Sequence, residues 1–396
     1  MAEGARHVLI IGAGMAGAVS ARALAEAGNS VLLLERRDHI GGNAYDCPDE
    51  AGVIIHKYGP HIFHTCDRQV YEFLSRFTAW RDYQHKVTAN FPYGAGGRRE
   101  LPVPFNLVSL ELAFGMERAG ALAQKLRETY GPERKVTILE LRQNPDPDLA
   151  ALAGYVYKHI FEGYTVKQWG QPPEAIDPAT TARVPVHISR DCRYFQDPWQ
   201  GMPSEGYTAL FRRMLDHPNI TVELNTDGLD RLTLAEGGIL KLDGAPFSGP
   251  VIYTGPADAL FGYRFGALPY RTLDFQFKTY STDCWQSCGT VNYTMDRDYT
   301  RITEFKHLTG QILPGVTTVA EEYPRPYTGA AGEIPYYAIL NRENNALYAK
   351  YRGLARQYPN LYLLGRLAEY QYYNMDASAA RALALCKEAI PHGRGE

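Results

Sequence analysis

His7-Val8-Leu9-Ile10-Ile11-Gly12-Ala13-Gly14-Met15-Ala16-Gly17 decides the fold. The first five residues are a mostly apolar run, as expected of a strand buried on both faces of a parallel sheet. The three glycines follow at once. Residues 18–27 then read as a small-residue helix that stops at Gly28-Asn29, and residues 31–34 as a second buried strand ending in Glu35. Each glycine has a separate physical role. Gly12 permits the tight turn, Gly14 lets the backbone approach a pyrophosphate, and Gly17 lets helix and strand pack closely while the helix N-terminus faces the negative charge. Glu35 lies where a carboxylate accepts from a ribose. Strand, turn, helix, strand and acid stand in the order of a dinucleotide site, whereas an isolated glycine-rich turn would lack that sequence of parts.

Working outward, Arg36-Arg37 follows the acid and Ile40-Gly41-Gly42-Asn43 comes next. A plain turn is one reading of the second glycine pair. The other is that it resembles the FAD-binding half of the flavin amine oxidase and escort-protein superfamily, where this segment carries the FAD diphosphate and approaches the flavin.

Composition narrows the field. Among 396 residues, 41 Lys plus Arg against 44 Asp plus Glu leave a formal charge of −3. That balance argues against nucleic acid or an anionic membrane as the main partner, since both require a basic excess. No apolar run reaches membrane-spanning length, and the residues before Val8 do not read as a signal peptide, so a cytoplasmic protein is expected. The six cysteines, 47, 66, 192, 284, 288 and 386, contain no CxxC pair, and Cys284 and Cys288 have no nearby histidine at metal spacing. Reduced thiols and no metal are expected.

Along the rest of the chain, residues 52–60 read as strand and turn and 67–77 as a helix. Residues 91–105, broken by glycines and prolines, read as a hairpin or boundary. Residues 107–130, 135–142 and 149–161 read as helices, interrupted at Asn144-Pro145-Asp146-Pro147. Residues 220–224 and 251–253 read as strands returning to the nucleotide domain. Segments 271–280, 290–293, 299–305, 315–322 and 337–340 carry strand-type residues between turns, as in an antiparallel sheet. Residues 361–366 form a last strand before an alanine-rich helix at 377–389. The expected class is α/β: a discontinuous Rossmann-like FAD-binding domain (1–85, 205–265, 350–396), an inserted, mainly helical domain (86–204) and an inserted antiparallel sheet domain (266–349).

A second constellation is rich in aromatic and polar residues: Phe161-Glu162-Gly163-Tyr164-Thr165-Val166-Lys167-Gln168-Trp169, then Arg183, Arg193-Tyr194-Phe195, residues 299–306, Glu321-Glu322-Tyr323, Ile334-Pro335-Tyr336-Tyr337, and residues 365–376. Tyrosine supplies 28 of the 47 aromatics, and it offers both a stacking face and a phosphate-binding hydroxyl. On the motifs GAGMAG, GGN, YGPHIFHT, YTVKQW, YTRITEFK, EEYPRPY, PYY and GRLAEYQYYNMD, nearly the whole chain resembles the UDP-galactopyranose mutases.

The resemblance implies tight FAD binding and interconversion of UDP-galactopyranose and UDP-galactofuranose without net redox change, the flavin being active when reduced. Flavin N5 would attack the anomeric carbon and UDP would leave; the ring would then open and reclose as the furanose, and UDP would return. It further implies an unidentified reductant and a homo-oligomer. Arg183 and Arg301 would clamp the diphosphate, because two forks suit a doubly charged acceptor; surface ion pairs are the bland alternative. Tyr194, Tyr336 and Tyr372 would donate to the same phosphates, with Tyr337 competing with Tyr336 because adjacent strand residues face opposite ways. Phe161 and Tyr164 would hold the uracil, Thr165 and Asn292 would contact substrate, and Trp169 would sit near the sugar on a mobile loop; helix core packing is the alternative for these aromatics. Arg366 would favour the reduced anionic flavin, with His61 acting beside the ring. The cofactor would be held by Gly12, Gly14, Gly17, Glu35, Arg36, Gly42, Asn43, Tyr58, His61, His64, Gly365, Arg366, Asn374 and Met375. One departure stands out: Asn374 occupies a position where the family often has Asp, which keeps hydrogen bonding but removes a charge. An amine-oxidase-type oxidoreductase and a non-enzymatic escort protein of the GDP-dissociation-inhibitor type share the nucleotide domain and are the competing readings.

Overall fold

The computed structural model describes residues 7–170 and 185–388. The quoted stretch forms the centre of a five-stranded parallel sheet. Its spatial order is Ile220–Glu223, Ser30–Leu34, His7–Ile11, Val251–Tyr253, Leu361–Leu363. Ile10 lies opposite Leu33 on one side and Ile252 on the other. Three distant parts of the chain therefore build one nucleotide-type sheet. The helix Met15–Glu26 packs against the C-terminal helix Met375–Glu388. Ala18, Ala21 and Ala25 share one buried cluster with Ala379, Ala382 and Cys386, and these small side chains let two helices approach over the same sheet.

A second sheet has seven strands, ordered Tyr337–Ala338, Tyr270–Tyr280, Thr317–Pro326, Arg301–Glu304, Thr290–Tyr293, Val87–Tyr93, Gly97–Val103. Two features correct the expectation of an antiparallel sheet drawn from 266–349. The hairpin 87–103 supplies two further strands, and Thr290–Tyr293 pairs with Val87–Tyr93 in parallel. The reason is visible in the packing. Phe91, Leu101 and Val103 share one apolar cluster with Leu122, Leu126, Leu149, Leu152 and Val156, so the hairpin is the floor on which the helical segment lies.

The helical segment is more broken than its apolar spacing indicates. Gly115, at φ 78°, separates Leu107–Phe114 from Met116–Tyr130. Lys135–Val136 is a strand, because Thr137 caps the helix Ile138–Arg142 by accepting from the Glu140 N–H. Pro147–Val156 runs into a π-helical turn, Tyr157–Glu162, and then into Gly163–Trp169. Such a turn re-aims the side chains that follow it. The helix Arg342–Ala355 and the meander of Leu232–Ala235, Ile239–Leu242 and Ala245–Pro246 went unread in the sequence.

Candidate active site

One cavity of about 750 Å³ runs from the glycine turns of the first sheet to the face of the second. Its glycine end is built from backbone. Gly12 has φ 104°, and a Cβ there would lie 2.1 Å from Thr254 Oγ1; a Cβ on Gly17 would lie 1.9 Å from the Gly12 carbonyl. These two glycines fix the turn itself, and Gly17 does not line the cavity. Gly14 and Gly42 face each other across the cavity wall, where a Cβ on Gly42 would come 2.8 Å from Gly14 Cα. Glu35 is buried, and its Oε2 accepts from the Ala13 N–H at 2.8 Å while Oε1 accepts from the Arg37 N–H at 3.0 Å. The acid is thereby pinned at the strand end with lone pairs still to offer. Arg37 donates to Asn43 Oδ1 at 2.9 Å and lies over the Tyr58 ring, yet its Nη1 is buried without a partner. Arg36 lines the same end and is exposed. Cavity walls bare of Cβ atoms beside an orphaned guanidinium N–H fit an extended anionic cofactor such as FAD.

Histidines and rings form the middle. His61 Nδ1 donates to the Gly59 carbonyl at 2.9 Å. Burial, with His56, Arg366 and Arg301 nearby, pulls its pKa down to about 4, so the ring is neutral at neutral pH. His64 donates from Nδ1 to Asp197 at 2.6 Å and accepts at Nε2 from the Asn374 amide at 3.1 Å, with Phe195 stacked on its face. Although Asp197 is partly desolvated, its hydrogen bonds from Cys66 and His64 hold its pKa below the usual range. The presence of Asn374 has a local reason, since its amide donates to a ring nitrogen, which a carboxylate could only accept from. Gly365, at φ 101°, and Met375, which opens the C-terminal helix, complete this part.

The far end is built from side chains that cross from separate strands. Arg301 meets Glu322 in a bidentate pair, Nε to Oε2 at 2.8 Å and Nη2 to Oε1 at 2.7 Å. The two stand opposite each other on neighbouring strands. Burial opposes the Arg301 charge, but the Glu322 carboxylate outweighs it and holds the pKa well above the ordinary value. Arg366 donates to the Tyr336 carbonyl at 3.0 Å and lies over the rings of Tyr337 and Tyr372. Trp169 meets the same two rings, at 5.7 and 5.6 Å between centroids. Among the described residues, four arginines line the cavity against three carboxylates, of which Glu322 and Glu35 are already committed. The surplus favours an anionic ligand.

Four expectations change on this geometry. Trp169 is the last residue of a helix rather than part of a loop. Lys167 fastens that helix by donating to the carbonyls of Tyr293, Arg297 and Tyr299, and Arg271 caps its end through the carbonyls of Lys167 and Gln168. A Cβ on Gly163 would lie 2.1 Å from the Thr294 carbonyl, so only glycine lets the helix sit so close to the sheet. Secondly, Tyr337 lies in the electrostatic surroundings of Arg301, Tyr372 and Arg366, while Tyr336 lies in those of Arg37 and Tyr58, and both sense Glu322. Thirdly, Phe161 both lines the cavity and belongs to the helical core cluster, so the packing alternative and the binding alternative coexist in one side chain. Lastly, His307 approaches Cys284 to 3.4 Å although the two are 23 residues apart, against the expectation of no histidine near that thiol.

Tyr164, Thr165, Tyr194, Asn292 and Tyr372 all line the cavity. Burial raises the hydroxyl pKa of Tyr164 and Tyr337, which keeps both as donors at neutral pH. Asn292 Oδ1 and Gln168 Oε1 are buried without partners. Arg183 lies outside the described residues. The sequence reading gave no role to Asp197, and none to Gln168, Phe195 and Arg37 although these three stood in stretches it singled out; Asp197 alone carried no signal.

Known proteins with the same organisation set the geometry in context. The family description UDP-galactopyranose mutase matches residues 159–372, and that of an NAD(P)-binding Rossmann-like domain matches 10–77. A UDP-galactopyranose mutase of Mycoplasma pneumoniae is 35% identical over 96% of this chain and 96% of its own. A dTDP-fucopyranose mutase of Escherichia coli is 36% identical over 98% of this chain and 99% of its own. The crystal structure of a reduced UDP-galactopyranose mutase shares the fold, with TM-score 0.69 at 15% identity over 97% of this chain and 95% of that one. Among the described residues no helix is long and apolar enough to cross a membrane. Motifs, cavity and near full-length similarity agree, and the chain belongs to the UDP-galactopyranose mutase family.

Proposed function

We propose that the chain binds FAD at the glycine end of the cavity and interconverts UDP-galactopyranose and UDP-galactofuranose at the arginine end. The observation that carries this reading is the continuity of the cavity. Gly14 and Gly42 open onto the same space as Arg301, Tyr337 and Trp169. When bound and reduced, FAD supplies N5 as a nucleophile for the anomeric carbon without net oxidation. The protein's own residues do the rest. Glu322 holds the Arg301 guanidinium so that the fork meets the diphosphate and stabilises UDP as it leaves and returns. Arg183 is the second clamp in this reading. Tyr337, Tyr372 and Tyr194 donate to the phosphate oxygens, Tyr337 taking the part expected of Tyr336. Phe161 and Tyr164 hold the uracil, with Thr165 and Asn292 on the substrate. Trp169 closes the sugar site against water. Neutral His61 and the Asp197–His64–Asn374 chain support the flavin side, and Arg366 stabilises its anionic form.

An external reductant, a homo-oligomer and a cytoplasmic setting go with this reading, as does a three-part domain division in which the 87–103 hairpin counts with the sheet. The relative that acts on dTDP-fucopyranose shares as much sequence, so the assay includes both sugars. UDP-galactofuranose and dTDP-fucofuranose are each incubated with oxidised and with dithionite-reduced protein. Galactopyranose formed in the reduced sample alone supports the proposal. Turnover of the fucose compound only would overturn the substrate, and turnover of neither would overturn the activity.

A further inference from the structure

Among the described residues one further group of convergent ligand atoms lies outside the cavity. Cys284 comes from the bend after the Tyr270–Tyr280 strand, Glu304 from the end of the Arg301–Glu304 strand, and His307 from the helix Phe305–Thr309. Cys284 Sγ is 3.4 Å from His307 Nε2 and 3.7 Å from Glu304 Oε2, and Nε2 is 3.4 Å from Oε2. A tetrahedral zinc site with bonds of about 2.0–2.3 Å to N, O and S has edges of about 3.4–3.6 Å. The triangle is therefore the face of such a tetrahedron. We infer that Cys284, Glu304 and His307 form a site for a divalent transition metal of the zinc class.

The surroundings are those of a prepared site. Glu304 is buried, and its carboxylate is oriented by Thr317 Oγ1 at 2.7 Å and by the Trp285 and Gln286 N–H groups at 2.9 Å each. Outer hydrogen bonds of this kind aim a ligand oxygen. His307 Nε2 faces three partners at once, because the Gln286 carbonyl also lies 3.1 Å away, and a single N–H cannot serve all of them. A cation in their midst satisfies the nitrogen, the sulfur and the carboxylate together. Cys284 is exposed, which leaves an entry path and a fourth position for water. Binding displaces the thiol proton, while the neutral imidazole carries its proton on Nδ1, so binding releases protons from Cys284 and weakens at low pH. The metal ties the 281–289 bend to the strand that carries Arg301. Arg301 and Glu304 point to opposite faces of that strand, so the expected effect is on stability and leaves turnover unchanged.

Cobalt(II) added to the purified protein tests the site, because tetrahedral thiolate coordination gives visible bands in the red, beyond flavin absorption. One equivalent should develop these bands, release protons and raise the melting temperature. Cys284→Ser and His307→Gln each remove a direct ligand and should abolish the bands at one equivalent of cobalt, with mutase turnover unchanged. Absence of bands in the parent protein overturns the inference. So do bands retained in Cys284→Ser, which would belong to another thiol, or in His307→Gln, which would leave a thiolate without its histidine.

Discussion

The two ends of the cavity are made by opposite means. At the glycine end, side chains are left out: Gly12, Gly14 and Gly42 create room and bring backbone to the surface, and Gly17 lets the turn beneath them close. At the arginine end, side chains from separate strands and helices cross over one another. Arg301 on one strand is fixed by Glu322 on the next, and Trp169 on a helix meets Tyr337 and Tyr372 from two further segments. A site made of backbone is local in sequence and tolerant of what lies around it. A site made of crossing side chains depends on the register of a whole sheet.

The largest expected effect falls at the crossing end. Arg301→Ala removes the clamp proposed for the diphosphate and strands Glu322, whose side chain is only 2% exposed. Turnover should fall on the order of 10²–10³-fold, and stability by about 3 kcal/mol, the low end for a broken buried pair because Arg301 itself faces the cavity. Flavin content should stay at the parent level, as read by absorbance. Equal loss of flavin would break the separation between the ends.

Acid should lower stability through buried histidines. His56 and His85 are buried and neutral, their pKa values pulled down by burial to about 4 and about 3. The unfolded chain binds the extra protons first, so stability falls as pH drops from about 6.5 towards those values. The loss is about 2 kcal/mol for each by pH 5. Melting temperature measured against pH should show this fall, and a flat profile would contradict it.

Tyr337→Phe and Tyr336→Phe sharpen the comparison within one dipeptide. The first should cost about 1.5–3 kcal/mol of UDP affinity, the worth of a hydrogen bond to a charged group. The second should leave UDP affinity near the parent value. The reverse result would return the role to Tyr336.

Smaller effects are expected at the glycine end, and they should divide. Gly12→Ala forces a side chain into φ 104° and against Thr254, costing about 1–3 kcal/mol of stability. A Cβ on Gly14 would meet Gly42 Cα at an ordinary 3.8 Å, so Gly14→Ala should melt like the parent and yet retain less flavin. Thermal melts beside flavin-to-protein ratios check both.

The same contrast explains what could be read from the sequence. The first strand, the glycine turn, the helix and Glu35 were legible because all their determinants lie within 35 residues. Arg301 and Tyr372 were legible only through family resemblance, since nothing local marks one arginine among many. The choice between Tyr336 and Tyr337 was not legible, because strand alternation gives two faces without naming the inner one. Asp197 on His64, and Cys284 beside His307, join residues 133 and 23 positions apart, and no spacing rule foretells either. The sheet's parallel pairing was hidden because it depends on the apolar floor that the hairpin offers the helices.

The central claim is that one cavity holds cofactor at one end and nucleotide diphosphate at the other. It is tested most directly by titrating UDP into the flavin-loaded parent and Arg301→Lys proteins, with flavin content read on the same samples. The account predicts that Arg301→Lys keeps its flavin and loses UDP affinity by at least about tenfold, because an ammonium cannot reproduce the fork held by Glu322. Unchanged UDP affinity in that variant, or flavin and UDP lost together, would contradict it.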